Sequence, residues 1–249
     1  MLAPSKQAIT HKIQLFRLLK EILSSNYLAN ELVFKGGTYA SLLNYLDRFS
    51  VDLDFDLPNN NATEKVKQEC RKIFSDLDLV IKDESKNYLQ FFLKYPSVLG
   101  NARNTLKLEI NDKPSKFNEY EKVNLPEINM YCTGHTPSTM FANKLIAAKA
   151  RFDKNGKIAG RDFYDIHMFF EKRIEINRAV VEDLSGTSYT NYLQDLSTFI
   201  EKNVSERLLM EDLNPLLTPE QLRRSIKVIK TEVLQYLANG IEQEMLLIG

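Results

Sequence analysis

From Val51 to Leu57 apolar and acidic residues alternate without interruption, as Val51, Asp52, Leu53, Asp54, Phe55, Asp56 and Leu57. Period-two alternation is the pattern of a β-strand, which turns successive side chains to opposite faces. Such a strand must rest one greasy face on a core and carry three carboxylates on the other. Side chains two residues apart stand about 6.5 to 7 Å apart, so Asp52 and Asp54 can share one small cation site. On stability grounds alone the row is unfavourable, because aspartate is depleted in strands and aligned carboxylates resist ionising together. A divalent metal relieves that repulsion; a solvated edge strand that uses charge against aggregation is the alternative. Asp56 shares the acidic face but falls outside the D-x-D pair and is read as a surface residue.

A second feature lies just upstream. Leu32 to Phe34 is a short apolar run meeting Lys35-Gly36-Gly37-Thr38, and TYASLLNYL then reads as a helix. Strand, glycine turn and helix start together offer backbone N–H groups, a hydroxyl and a lysine to phosphate oxygens. A G-G turn alone is common; its weight comes from the spacing, which sets a triphosphate cradle beside the acidic pair. Neither G-x-x-x-x-G-K-[ST] nor G-x-G-x-x-G occurs.

Around these motifs, Ile9, Ile13, Phe16 and Leu23 predict an amphipathic helix from residue 5 to about 26. A helix is expected over 62–77 and strands over 78–83, 87–95 and 103–110, with ESKN turning between the first two. In the third, Leu106, Leu108 and Ile110 share one face while Lys107 and Glu109 share the other. A last short strand is expected at Glu127–Tyr131. Beyond His135 the spacing is helical at 137–153, 161–172, 176–203 and 218–239. Thr218, Pro219 and Gln221 supply a cap, a first-turn proline and a capping box for the last of these, and Gly240 is expected to end it. The expectation is an α+β chain: a mixed β-sheet domain over 1–135 and a helical domain over 136–249.

Composition narrows the function. With 33 basic and 33 acidic residues the net charge is zero, so no bulk field draws the chain to nucleic acid or membrane. Two cysteines, Cys70 and Cys132, give neither a disulfide framework nor a zinc signature. His11, His135 and His167 are scattered and suggest no metal or nucleophilic histidine. Ser50 has no paired histidine and reads as a hydrogen-bond partner of phosphate or carboxylate. With no run of about 18 apolar residues and no signal-peptide core, the chain is expected to be soluble and cytoplasmic, away from membranes.

The stretch FKGGTYASLLNYLDRFSVDLDFDL resembles the first motif of the AbiEii-like nucleotidyltransferases, toxins of type IV abortive-infection systems in the polymerase-beta-like superfamily. That motif runs K-G-G-[TS], a short helix, then R-x-S-x-D-[LI]-D-[FL], which Arg48, Ser50, Asp52, Leu53, Asp54 and Phe55 match. NKLIAAKARFDKNGKIAGRDFYDI resembles the second, K-L-x-A with a following basic residue, a loop and R-D-x-x-D-[LI], matched by Lys144, Ala147, Arg151, Arg161, Asp162 and Asp165. The two motifs bracket residues 34–166. Where the family carries a small residue after G-G-[TS], this chain has Tyr39, which bears on the shape of the phosphate pocket.

The resemblance implies a nucleotidyltransferase using Mg²⁺ or Mn²⁺ and an NTP, with RNA such as tRNA as acceptor and a cognate antitoxin as possible partner. Asp52 and Asp54 are then metal ligands, and Glu109 a third ligand and general base, or else an ordinary exposed strand glutamate. Lys35, Gly36, Gly37, Thr38, Arg48 and Ser50 line the triphosphate cradle. Lys144 and Arg151, one face-repeat apart on a helix, meet the NTP phosphates or the leaving pyrophosphate. Asp162 and Asp165 fix Lys144 and Arg161 or contact ribose and base, a structural salt-bridge network being the equal alternative. Residues 140–161 carry six Lys or Arg against Asp153, a patch able to hold RNA backbone or simply a solvated helix. The competing readings are a small-molecule nucleotidyltransferase of the antibiotic-modifying kind and a catalytically silent nucleotide-binding module.

Overall fold

The computed structural model describes residues 6–48, 50–85, 89–96 and 104–248. By backbone proximity the chain divides into one unit of Met1–Pro114 with Glu119–Thr136, and a second of Ser115–Asn118 with Pro137–Gly249.

In the first unit, α1 (Lys6–Ser24), α2 (Asn26–Glu31), β1 (Val33–Lys35), α3 (Gly36–Leu42), β2 (Asp52–Asp56), α4 (Thr63–Asp76) and five further strands follow in order. Those strands are β3 (Val80–Glu84), β4 (Leu89–Lys94), β5 (Thr105–Asn111), β6 (Tyr120–Leu125) and β7 (Met130–His135). Among the described residues they form one mixed seven-stranded sheet in the order β3-β4-β5-β2-β1-β7-β6. The acidic strand β2 is thus central, hydrogen-bonded to β1 on one side and β5 on the other. That position removes the edge-strand explanation of its carboxylates.

The apolar face forms the core. Leu53, Phe55, Phe91, Leu106 and Leu108 are all fully buried, Phe34 stacks on Phe55 at 4.9 Å, and Phe74 of α4 meets Phe91 edge-on at 5.2 Å. α1 contributes His11, Leu15, Leu18, Leu19 and Ile22 at helical spacing. Ile9 and Ile13, expected on that face, are instead 45% and 53% exposed: the sequence repeat was right and its phase was wrong. The expected strand at Glu127–Tyr131 is replaced by a hairpin, β6 and β7, whose turn includes Asn129 at φ +52°. The ESKN turn includes positions outside the described residues.

In the second unit α5 (Pro137–Asn155), α6 (Gly160–Glu171), α7 (Arg178–Ser185), α8 (Tyr189–Asn203), α9 (Glu206–Leu213), α10 (Pro219–Ile226) and α11 (Ile229–Ile248) make a helical array. The single helix expected over 176–203 is broken by Gly186, which caps α7 in the left-handed region at φ +70°. Thr218 and Gln221 form the expected capping box, but α10 ends at Ile226 and a new helix starts. Gly240 does not end that helix. It sits inside α11, where a Cβ would lie 3.4 Å from Leu193 of α8, so the missing side chain serves helix packing. Cys70 and Cys132 are free, buried thiols. No helix among the described residues is long and apolar enough to cross a membrane.

Candidate active site

Strand register sets four polar side chains in a row across the sheet. Lys35 of β1 pairs with Asp54 of β2, Asp54 with Glu109 of β5, and Glu109 with Gln90 of β4. Asp52 lies one repeat along, opposite Lys107. Gln90 Nε2 donates to Glu109 Oε2 at 2.9 Å, and Lys107 forms an ion pair with the same carboxylate. Burial, then the charges of Asp52 and Glu109, push the Asp54 carboxyl up to about 6, against partial relief from Lys107 and Lys35. Burial also raises Glu109, but the Lys107 hydrogen bond and charge, with Gln90 and Lys35, outweigh it and hold that carboxyl below its usual range.

Asp54 therefore favours the unfolded chain at neutral pH. Its folded pKa lies above the unfolded 3.8, so this contribution to stability falls as pH rises from about 4 through about 6. The penalty reaches about 3 kcal/mol above that window. Asp54→Asn is expected to raise the metal-free melting temperature at pH 8 and leave it nearly unchanged at pH 4, a difference that thermal unfolding at both pH values reads directly.

The glycine turn closes onto these acids. Gly36 adopts φ +81°, and a Cβ there would lie 2.3 Å from Asp54 Oδ2; a Cβ on Gly37 would lie 2.9 Å from Arg48 Nη2 and 3.0 Å from Ser50 Oγ. Lys35, Gly36, Gly37, Arg48, Ser50 and Asp54 are thus one cluster. Thr38 is committed within it: its hydroxyl donates to the Asp52 carbonyl at 2.6 Å and sits 3.0 Å from Ser50 Oγ, tying α3 to β2. Thr38 and Arg48 are buried.

Tyr39 does not enter the phosphate cradle. Its ring is fully buried 5.1 Å from Phe34, and its hydroxyl donates to the His135 carbonyl at 3.2 Å. Room for it comes from Gly134, where a Cβ would fall 2.2 Å from the tyrosine Cζ and Oη. Gly134→Ala is expected to destabilise by about 1–3 kcal/mol through overpacking, and by less in a Tyr39→Ala background where the opposing ring is gone. Urea denaturation of the two single variants and the double variant measures that coupling.

Asp56 corrects the sequence reading most sharply: it is fully buried, not a surface residue. Lys35 Nζ lies 2.5 Å from its Oδ1, Asn111 Nδ2 donates to the same oxygen at 3.2 Å, and His135 Nε2 lies 2.7 Å from Oδ2. Burial opposes ionisation, yet the His135 hydrogen bond and the Lys35 charge bring the Asp56 carboxyl down to about 2. Burial lowers His135, so its ring is neutral near pH 7 and donates through Nε2, while Nδ1 is buried without a partner. Lys35 therefore supplies the charge that balances Asp56.

In the helical unit, Lys144 of α5 reaches two buried acids of α6, Asp165 at 2.9 Å and Asp162 at 3.2 Å. Arg151 Nε stands 3.5 Å from Asp162 Oδ2, and these two buried atoms complete no hydrogen bond. The cation joining Lys144 around these acids is Arg151 and not Arg161. Lys149 lies 3.6 Å from Asp195, so the basic run of 140–161 is partly neutralised by its own unit. The sequence assigns no site role to Lys107, Gln90 or His135; only Lys107 carries a signal, by sharing a strand face with Glu109.

A central D-x-D strand beside a G-G turn, on a mixed sheet followed by helices, defines a nucleotidyltransferase fold. Two solved Helicobacter pylori structures share it: JHP933, at 20% identity and TM-score 0.52 over 99% of this chain and 100% of that one, and a candidate nucleotidyltransferase, at 21% and 0.54 over 95% and 98%. No curated protein sequence matches this chain. The model of the family "Nucleotidyl transferase AbiEii toxin, Type IV TA system" matches residues 17–235, and the chain belongs to that family.

Proposed function

We propose that this nucleotidyltransferase is metal-dependent and transfers a nucleoside monophosphate from an NTP to an RNA acceptor such as tRNA, releasing pyrophosphate. The observation that carries the reading is the closure of the Gly36–Gly37 turn onto Asp54 and Arg48, which sets phosphate-binding backbone against the acidic pair. The donor set is all oxygen, which suits Mg²⁺ or Mn²⁺. Asp52 and Asp54 would hold the cation; bound there, it supplies Lewis-acid charge to the reacting phosphate and lowers the acceptor hydroxyl's pKa.

Glu109 enters this set only conditionally. Lys107 and Gln90 hold the Glu109 carboxylate. Lys107 thus acts as a resident counter-charge that Glu109 must leave to become a ligand or base. In the transfer, the acceptor oxygen bonds to the α-phosphorus, the bond to the β-bridging oxygen breaks, and the hydroxyl proton passes to a carboxylate of this face. Lys35, Arg48 and Ser50 orient the triphosphate; within the second unit Asp162 and Asp165 hold Lys144, and Asp162 stands by Arg151, which readies both cations for an anionic group. The partly unpaired Arg151 and Asp162 atoms are suited to take up a substrate group.

The test incubates the full chain with each α-labelled NTP, Mg²⁺ and either total RNA or an aminoglycoside. Label on small RNA supports the proposal. Label on an aminoglycoside or on protein, or nucleotide binding without pyrophosphate release, overturns the RNA assignment. A cognate antitoxin co-expressed with the chain is expected to suppress its toxicity.

A further inference from the structure

Two helices of the second unit present matching pairs one turn apart: His167 and Glu171 on α6, Glu232 and Tyr236 on α11. The helices pack together so that His167 Nε2 lies 2.5 Å from Glu232 Oε2, and the Tyr236 hydroxyl donates to Glu171 Oε1 at 2.6 Å. Tyr236 also stacks on Phe170 at 4.9 Å, which holds its hydroxyl in place. One ligand atom from each of His167, Glu171 and Glu232 falls within 4.8 Å of the others.

We propose that these three residues form a binding site for a zinc-class divalent cation. Two carboxylates alone would be a solvated acidic surface; the difference is the imidazole, buried at 8% exposure, with a ring nitrogen within 4.8 Å of an oxygen of each. Nitrogen with carboxylate oxygen suits Zn²⁺, Co²⁺ or Ni²⁺ and disfavours Mg²⁺, which takes oxygen donors. Zinc bonds of about 2.0–2.1 Å in a tetrahedron place donor atoms about 3.3 Å apart. All three donors already lie within 4.8 Å of one another, so small side-chain adjustments would bring them to that spacing. Three protein donors leave a fourth position for water.

Tyr236 supplies the outer support such sites use. By donating to one oxygen of Glu171 it fixes the carboxylate and leaves the other oxygen for the ion. Bound there, the cation would tie α6 to α11 in place of the present histidine–carboxylate hydrogen bond and stabilise the helical unit by mass action. The site uses none of the residues assigned to nucleotidyl transfer.

The full chain, stripped with chelator, is titrated with Zn²⁺ by calorimetry and followed by thermal unfolding, with Mg²⁺ in parallel. The expected result is one Zn²⁺ bound with a raised melting temperature that Mg²⁺ does not reproduce. Glu171→Gln, which leaves the His167–Glu232 contact intact, and His167→Ala are each expected to weaken Zn²⁺ at least about tenfold. Replacement by Co²⁺ should give a visible spectrum that both substitutions remove. The proposal is overturned if Zn²⁺ neither binds nor stabilises, or if folded Glu171→Gln binds it as wild type does. In either case the cluster is a hydrogen-bonded clamp between helices.

Discussion

Asp52→Ala is expected to lower nucleotidyl transfer by about 10³-fold or more, about 4 kcal/mol of transition-state stabilisation, while the chain stays folded. The magnitude follows from position. Asp52 shares a strand face with Asp54 beside a turn that packs on the latter's carboxylate, so its loss halves the anionic pair that would hold the cation. The Thr38 hydrogen bond is preserved, because it goes to the Asp52 backbone carbonyl, which alanine retains. Removing the side chain also relieves the repulsion that raises the Asp54 carboxyl, so metal-free stability at pH 8 should hold or rise. A steady-state assay paired with a melting curve separates lost chemistry from lost fold; a large drop in melting temperature would contradict the assignment.

Asp56→Ala should do the opposite, losing about 3–5 kcal/mol of stability because it leaves the largely buried Lys35 charge without its fully buried counter-ion. The pH dependence supports the distinction. The folded Asp56 pKa of about 2 lies below the unfolded 3.8, so its stabilisation is complete above about pH 4 and is lost as pH falls toward 2. Wild type should weaken in that acid window, and Asp56→Ala, already without the contribution, should show less of this slope. Urea denaturation at pH 3 and pH 7 measures both. Transfer will fall as well, since Lys35 loses the group that orients it; equal stability of variant and wild type at pH 7 would contradict the account.

The contrast between these aspartates marks where sequence alone runs out. Alternation in Val51–Leu57 revealed the strand and its two faces, because side-chain direction in a strand is local. Burial is not local. Asp56 is covered by His135 of β7 and Lys35 of β1, neighbours that exist only once β1 is placed between β2 and β7. The same holds for α1, where the helical repeat was legible but the side facing the sheet was not. The cap of α10 was fully readable, since Thr218, Pro219 and Gln221 act within one turn. Gly240 misled because a glycine ends helices by conformation and also lets helices approach, and only Leu193 across the interface tells which applies. His167 looked isolated for a related reason: Glu232, its partner, lies 65 residues away on another helix.

The central claim is that Asp52 and Asp54 hold a divalent cation beside a triphosphate cradled by Gly36 and Gly37. Crystals soaked with Mn²⁺ and a non-hydrolysable NTP analogue test it through the anomalous signal of the ion. Mn²⁺ bonded to oxygens of both aspartates, with phosphate at the glycine turn and Glu109 swung away from Lys107, is the predicted result. Nucleotide and ion bound elsewhere, with both aspartates unliganded, would contradict it.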